Sequence, residues 1–105
     1  MKHFIATHTC FSEEARRAFI ENTNALTHKE MIEGTQTEKA KMVAHWMGKD
    51  EFFFCHWLAD SEEAIHEALE AQGLADIIVT NANEMVRFVS ASDLKDDPVG
   101  DPDDV

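Results

Sequence analysis

The 105-residue sequence predicts an α+β domain of two strand–helix–strand halves, with four strands in one antiparallel sheet and two helices on one of its faces. Three observations carry this expectation. The tetrapeptide Ser12-Glu13-Glu14-Ala15 recurs as Ser61-Glu62-Glu63-Ala64, 49 residues on. Each copy follows a strand-like segment and opens a helix-like one. A hairpin-like segment lies between the two halves. Doubling a split βαβ unit in this way gives the ferredoxin-like order βαββαβ.

The elements follow in chain order. His3 to Thr9 alternate loosely and carry Phe4, Ile5 and two threonines, which suits a half-buried first strand. Ser12 is placed to cap the first helix, with Glu13 and Glu14 against its positive end. Ala15, Ala18, Phe19, Ala25 and Leu26 fall on one helical stripe, so this helix is expected from about residue 13 to a point between 24 and 32. Gly34 marks the way out. Lys41 to Met47 and Glu51 to Leu58 read as a hairpin around Gly48, Lys49 and Asp50. Asp60 and Glu63 have capping-box spacing for the second helix, which buries Ala64, Ile65, Ala68 and Leu69 and ends at Gly73. Leu74 to Asn83 reads as a short helix or irregular lead-in, with the last strand from Glu84 to Val89. The domain is expected to span 1–92. Residues 93–105 hold six aspartates and both prolines, the composition of a flexible, solvated acidic tail.

Composition narrows the function. Nine basic against 21 acidic residues give a formal charge of -12, so no nucleic-acid partner is expected, because phosphate binding needs a basic footprint. The longest apolar run, Phe52 to Cys55, is far short of a membrane span, and no secretory leader is read at the start. Cys10 and Cys55 are too few for a disulfide scaffold and suit free thiols in a cytoplasmic protein. No phosphate-cradling glycine loop is found, hence no nucleotide or flavin motif, and no serine nucleophile elbow.

The 49-residue offset aligns Phe4 with Phe53, Ala6 with Cys55 and His8 with Trp57, strands one and three being taken as parallel neighbours. Phe53, Cys55 and Trp57 then share one face of strand three, and Phe52, Phe54 and Leu58 the other. Two helices cover only one face. An antiparallel sheet with a wet second face alternates to polar residues, and this one does not. A second copy is expected to cover it, giving a homodimer packed sheet against sheet.

Six histidines are the unusual feature of the composition. His8, His45, Cys55 and His56 lie on three strands expected to be neighbours, and imidazole with thiolate suits zinc, nickel or iron. A two-residue turn puts His45 opposite Phe54 and diagonal to His56. A three-residue turn puts it opposite Phe53 and diagonal to Cys55. His66 lies one turn from Glu62 and Glu70 and is read as an i,i+4 partner; His28 is read as complementing the end of the first helix; His3 is assigned no role. Trp46, Trp57, Met42, Met47 and Met85 are read as core.

The segments Val43 to Asp50, Phe54 to Ala59, Ser61 to His66 and Gly73-Leu74, with His8 near the end of strand one, resemble the second half of a small family of unknown function. That family includes nickel-binding members and has a dimeric ferredoxin-like (α/β-barrel) fold. The resemblance implies the fold, a dimer and nickel binding; the residues themselves lead to the expectation of a nickel or zinc cofactor held by His8, His45, Cys55 and His56. A wider resemblance is to dimeric α/β-barrel enzymes of monooxygenase- and isomerase-like type, which often work without metal. Two functions are therefore expected in competition. One is a homodimeric transition-metal binder. The other is a cofactor-free small-molecule enzyme or ligand binder, its pocket lined by Trp46, Trp57 and phenylalanines, with His8 or His45 as proton shuttle.

Overall fold

The computed structural model describes residues 1–104, the last of them by its backbone alone. The elements are β1 (Lys2–Cys10), α1 (Glu13–Asn24), α2 (His28–Glu33), β2 (Ala40–Met47), β3 (Phe52–Ala59), α3 (Glu62–Ala71) and β4 (Ile78–Met85), with a short 3-10 turn at Pro102–Asp104. The four strands form one sheet in the order β2-β3-β1-β4. Every neighbouring pair is antiparallel. The arrangement is α+β and consistent with the ferredoxin-like order, with three helices where two were expected.

The repeated tetrapeptide marks equivalent structural stations. Ser12 (φ -159°, ψ 171°) and Ser61 (φ -162°, ψ 168°) are the N-caps of α1 and α3. Each hydroxyl accepts from the backbone N–H of the alanine three residues on, at 3.0 and 3.2 Å. The cap of α3 is thus Ser61 and not Asp60, because the serine occupies the station that Ser12 occupies in the first half. Gly73 follows α3 with φ +74°, a left-handed conformation that a side chain would strain.

The expected first helix is two helices. Thr27 accepts from the N–H of Glu30 and Glu30 returns a carboxylate to the N–H of Thr27, both at 3.0 Å, a reciprocal cap that starts α2. The sequence Thr27-x-x-Glu30 carries that signal. His28 consequently opens α2 rather than closing α1. Of the expected stripe on α1 only Phe19 is buried, and Leu26 is 42% exposed. By contrast α3 buries Ala64, Ile65, Ala68 and Leu69, and its two large side chains contribute roughly 1.5–3 kcal/mol each.

Strands β1 and β3 run antiparallel, so the parallel pairing read from the repeat is corrected: His8 sits opposite Phe53, Ala6 opposite Cys55 and Phe4 opposite Trp57. Face assignments survive the reversal, since either alignment pairs even positions of β1 with odd positions of β3. The β2–β3 turn is longer than both expected forms, and His45 stands directly opposite Cys55. A bulge between Met42 and Ala44 shifts the register. Its extra residue lets Met42 and His45, three apart, both face inward. Gly48 is needed at this turn, because a Cβ there would run into the carbonyl oxygen of Phe52.

The last strand begins six residues earlier than expected and ends at Met85. Ile78 to Met85 pair with Cys10 to His3 along β1, and Asn81 and Asn83 take outward positions. Asparagine is poor strand chemistry, which disguised the segment. The described residues beyond Met85 are largely exposed, with Arg87 donating to the carbonyl of Gly100 at 2.8 Å. Of the acidic tail expected over 93–105, Val105 lies outside the described residues. Among the described residues no helix is long and apolar enough to cross a membrane.

Candidate functional site

The inner face of the sheet carries Phe4, Ala6 and His8 from β1, Met42 and His45 from β2, Phe53, Cys55 and Trp57 from β3, and Ile78 and Thr80 from β4. The helices do not fill the space above it. One large apolar side chain, Phe19, descends from α1, whereas Asn22 and Thr23 are polar. What remains is a cavity of about 360 Å³, bounded below by His8, His45, Phe53, Cys55 and Trp57. Phe19, Leu26 and Met31 bound it on the α1–α2 side, and Leu69, Leu74 and Ile77 on the other. That volume falls at the lower end of the range of small-molecule pockets.

Asn22, Thr23, Glu30, Thr35 and Gln72 add polar groups on the helix side, and three polar features mark the floor. His8 is 1% exposed, and its Nδ1 shares a hydrogen bond with Thr80 Oγ1 at 2.8 Å. Its ring stacks on Phe53 at 4.8 Å, and Phe53 stacks in turn on Phe19 at 4.9 Å. Burial, reinforced by His45 and His66, pushes the His8 pKa down to about 4, so the ring is neutral at physiological pH. His45 Nδ1 lies 3.4 Å from Cys55 Sγ, and its ring meets Phe53 edge-on at 5.9 Å. Burial lowers the His45 pKa and pushes the Cys55 thiol up to about 12. The two rest as a neutral thiol and a neutral imidazole. The third feature is Trp57, fully buried, whose indole N–H has no partner. An unsatisfied buried donor costs about 1–3 kcal/mol. Trp57 is one of the residues that line the cavity, and its unpaired donor is enclosed by protein.

The four residues expected to hold a metal divide between the two faces. His8, His45 and Cys55 share the inner face, the grouping that the three-residue turn would also have produced. His56 points outward, where its Nε2 lies 2.9 Å from His3 Nδ1. Among the described residues no group of three or more His, Cys, Asp or Glu side chains is placed to hold a metal ion. Cys10 and Cys55 are both free thiols.

Trp57 lines the cavity as expected of the pocket. Trp46 does not: it faces outward and is 54% exposed. Met42 is core, but Met47 and Met85 are exposed. His66 pairs with Glu62 at 3.5 Å, as the i,i+4 spacing predicts. Thr80, the hydrogen-bond partner of His8, was not anticipated from the sequence, because it fell in the segment read as a lead-in to the last strand. No family model, curated protein or solved structure matches the chain.

Proposed function

We propose that this chain binds a small, largely apolar molecule that carries a hydrogen-bond acceptor, in the cavity between the sheet and α1, α2 and α3. The observation behind this reading is the unpartnered N–H of Trp57, a residue of the cavity floor, beneath a wall that is largely apolar apart from His8, His45, Asn22, Thr23, Glu30, Thr35 and Gln72. A carbonyl or ether oxygen would satisfy the donor, while aromatic or aliphatic carbon would replace water against Phe19, Phe53 and Leu69. The test is calorimetric titration with 1-indanone and with indane, which differ by one carbonyl. Indanone should bind about tenfold more tightly, since one satisfied buried donor is worth about 1.4 kcal/mol on this scale. Equal affinity for the two, or no binding of either, would contradict the proposal.

A second reading, a cofactor-free enzyme, is favoured by the neutral state of His8 and His45 at the cavity floor. A neutral imidazole is the form that accepts a proton from a bound substrate. Its test is exchange of the C2 hydrogens of 1-indanone in deuterated water, expected to be faster with the protein and slowed in His45→Gln. No acceleration would remove this reading while leaving binding intact.

The functional unit in this proposal is a homodimer joined through the outer face of the sheet. Trp46, Phe52, Phe54, Val79 and Met85 lie there, 37–54% exposed. None of the 21 acidic residues occupies an outward strand position, and Lys41 is the one charged side chain among them. Two chains of charge -12 repel through most of their surfaces, and this face is where they can meet without that cost. Four strands of this length offer a face of roughly 500 Å² in projection. With side-chain relief this approaches the ~800 Å² that one partner of a standard interface buries.

A further inference from the structure

The outer face also carries the closest pair of imidazoles in the described structure. His3 lies opposite Leu58, and Ile5 opposite His56, so the two histidines are diagonal neighbours across β1 and β3. Their rings stack at 5.2 Å with 29° between planes, and His3 Nδ1 faces His56 Nε2 at 2.9 Å. Two ring nitrogens therefore already face one another at hydrogen-bond distance on the outer surface.

We propose that His3 and His56 form a two-imidazole site for a borderline divalent transition-metal ion of the zinc and copper class. The separation is that of neighbouring donors on such an ion. Bonds of about 2.05 Å meeting at a right angle place their donors about 2.9 Å apart, and a tetrahedral ion needs only about half an ångström more. Imidazole is the donor type these ions prefer, whereas calcium and magnesium require oxygen. The outward strand positions supply no carboxylate, so the site selects against the harder cations. Met85 stands opposite His3 on β4, which places a thioether on the same face as a further soft donor. Loading requires no redox step. The ring whose facing nitrogen carries hydrogen transfers it to its other nitrogen, and both facing lone pairs then bind the ion. Water, or the same pair on a second copy, completes the coordination.

This site is separate from the cavity, so it and the ligand-binding proposal fail independently; it lies on the face assigned to the dimer, where a second copy would bring its own pair alongside. The experiment is calorimetric titration of untagged, metal-stripped protein with zinc chloride, with calcium chloride as the control. The wild type should bind zinc saturably, with at least tenfold weaker binding in both His3→Gln and His56→Gln and no change in Cys55→Ala. Both imidazoles lie at the surface, and an unchanged metal-free melting temperature verifies that the two glutamine variants fold. A ratio of one zinc per chain, or of one per two chains, supports the site, and the second ratio adds the partner's pair to it. Absence of saturable binding would overturn the proposal. So would loss in His3→Gln with full retention in His56→Gln, which would put the ion on His3 and adjoining backbone alone.

Discussion

Acidification should weaken this fold through His8, and the size of the effect can be worked out. The group titrates at its ordinary value of about 6.5 when the chain is unfolded. In the folded protein burial first, and then His45 and His66, push it down to about 4. Above pH 6.5 the ring is neutral in both states and its protonation costs nothing. Between pH 6.5 and 4 the unfolded chain takes up the proton and the folded chain does not, so stability falls as pH falls. The slope is about 1.4 kcal/mol per pH unit, or about 3 kcal/mol over the interval, and it flattens below pH 4. Carboxylates and the other histidines contribute as well, so the measurement is a difference. Urea unfolding of wild type and His8→Asn at pH 7, 6, 5 and 4.5 isolates it, because asparagine retains a polar atom for Thr80 but cannot be protonated. The variant should be less stable at pH 7, and the gap should close steadily with acid. A gap that stays constant, or a His8 ring titrating near 6.5 by NMR, would refute the burial argument.

Three further predictions test other parts of the account. Gly48→Ala should cost at least about 1 kcal/mol, read as a melting temperature lowered by several degrees, since its Cβ meets backbone that cannot move aside; an unchanged melting curve would remove the steric argument. Trp57→Phe should leave stability within about 1 kcal/mol, because an unpaired donor leaves along with some ring packing, yet abolish the preference for 1-indanone over indane. A preference that survives would place the acceptor elsewhere. Phe54→Asp puts a carboxylate on the outer face and should convert dimer to monomer in sedimentation equilibrium with little change in the melting curve of the single chain; a wild type that is already monomeric at high concentration would dismiss the dimer.

Much of this architecture was legible because it rests on local chemistry. Ser12 and Ser61 announce two helix starts, and the serines do cap those helices. Phe52 to Leu58 declare a strand apolar on both faces, and parity alone assigns those faces whatever direction the neighbouring strand takes. What was not legible depends on contacts distant in sequence. Asn81 and Asn83 belong to a strand because β1 pairs with them, not because asparagine favours one. The bulge at Val43 decides that His45 faces Cys55, and nothing in the hairpin sequence announces an inserted residue. The separation of His56 from the other candidate ligands follows from that parity, and its pairing with His3 from the antiparallel register of β1 and β3. The cavity itself was foreshadowed by the scarcity of large apolar residues on α1, where alanines occupy the expected stripe. The break at Thr27 could have been read from its capping box, but the longer apolar stripe hid it.

The proposed ligand binding turns on the unpartnered indole N–H of Trp57 at the cavity floor. The most direct measurement is the nitrogen–proton NMR resonance of its indole in a Trp46→Phe background, where Trp57 is the one remaining tryptophan. Addition of 1-indanone should move that resonance downfield in a saturable way and slow the exchange of its proton with solvent, while indane should do neither. An indole signal indifferent to saturating 1-indanone would contradict the account.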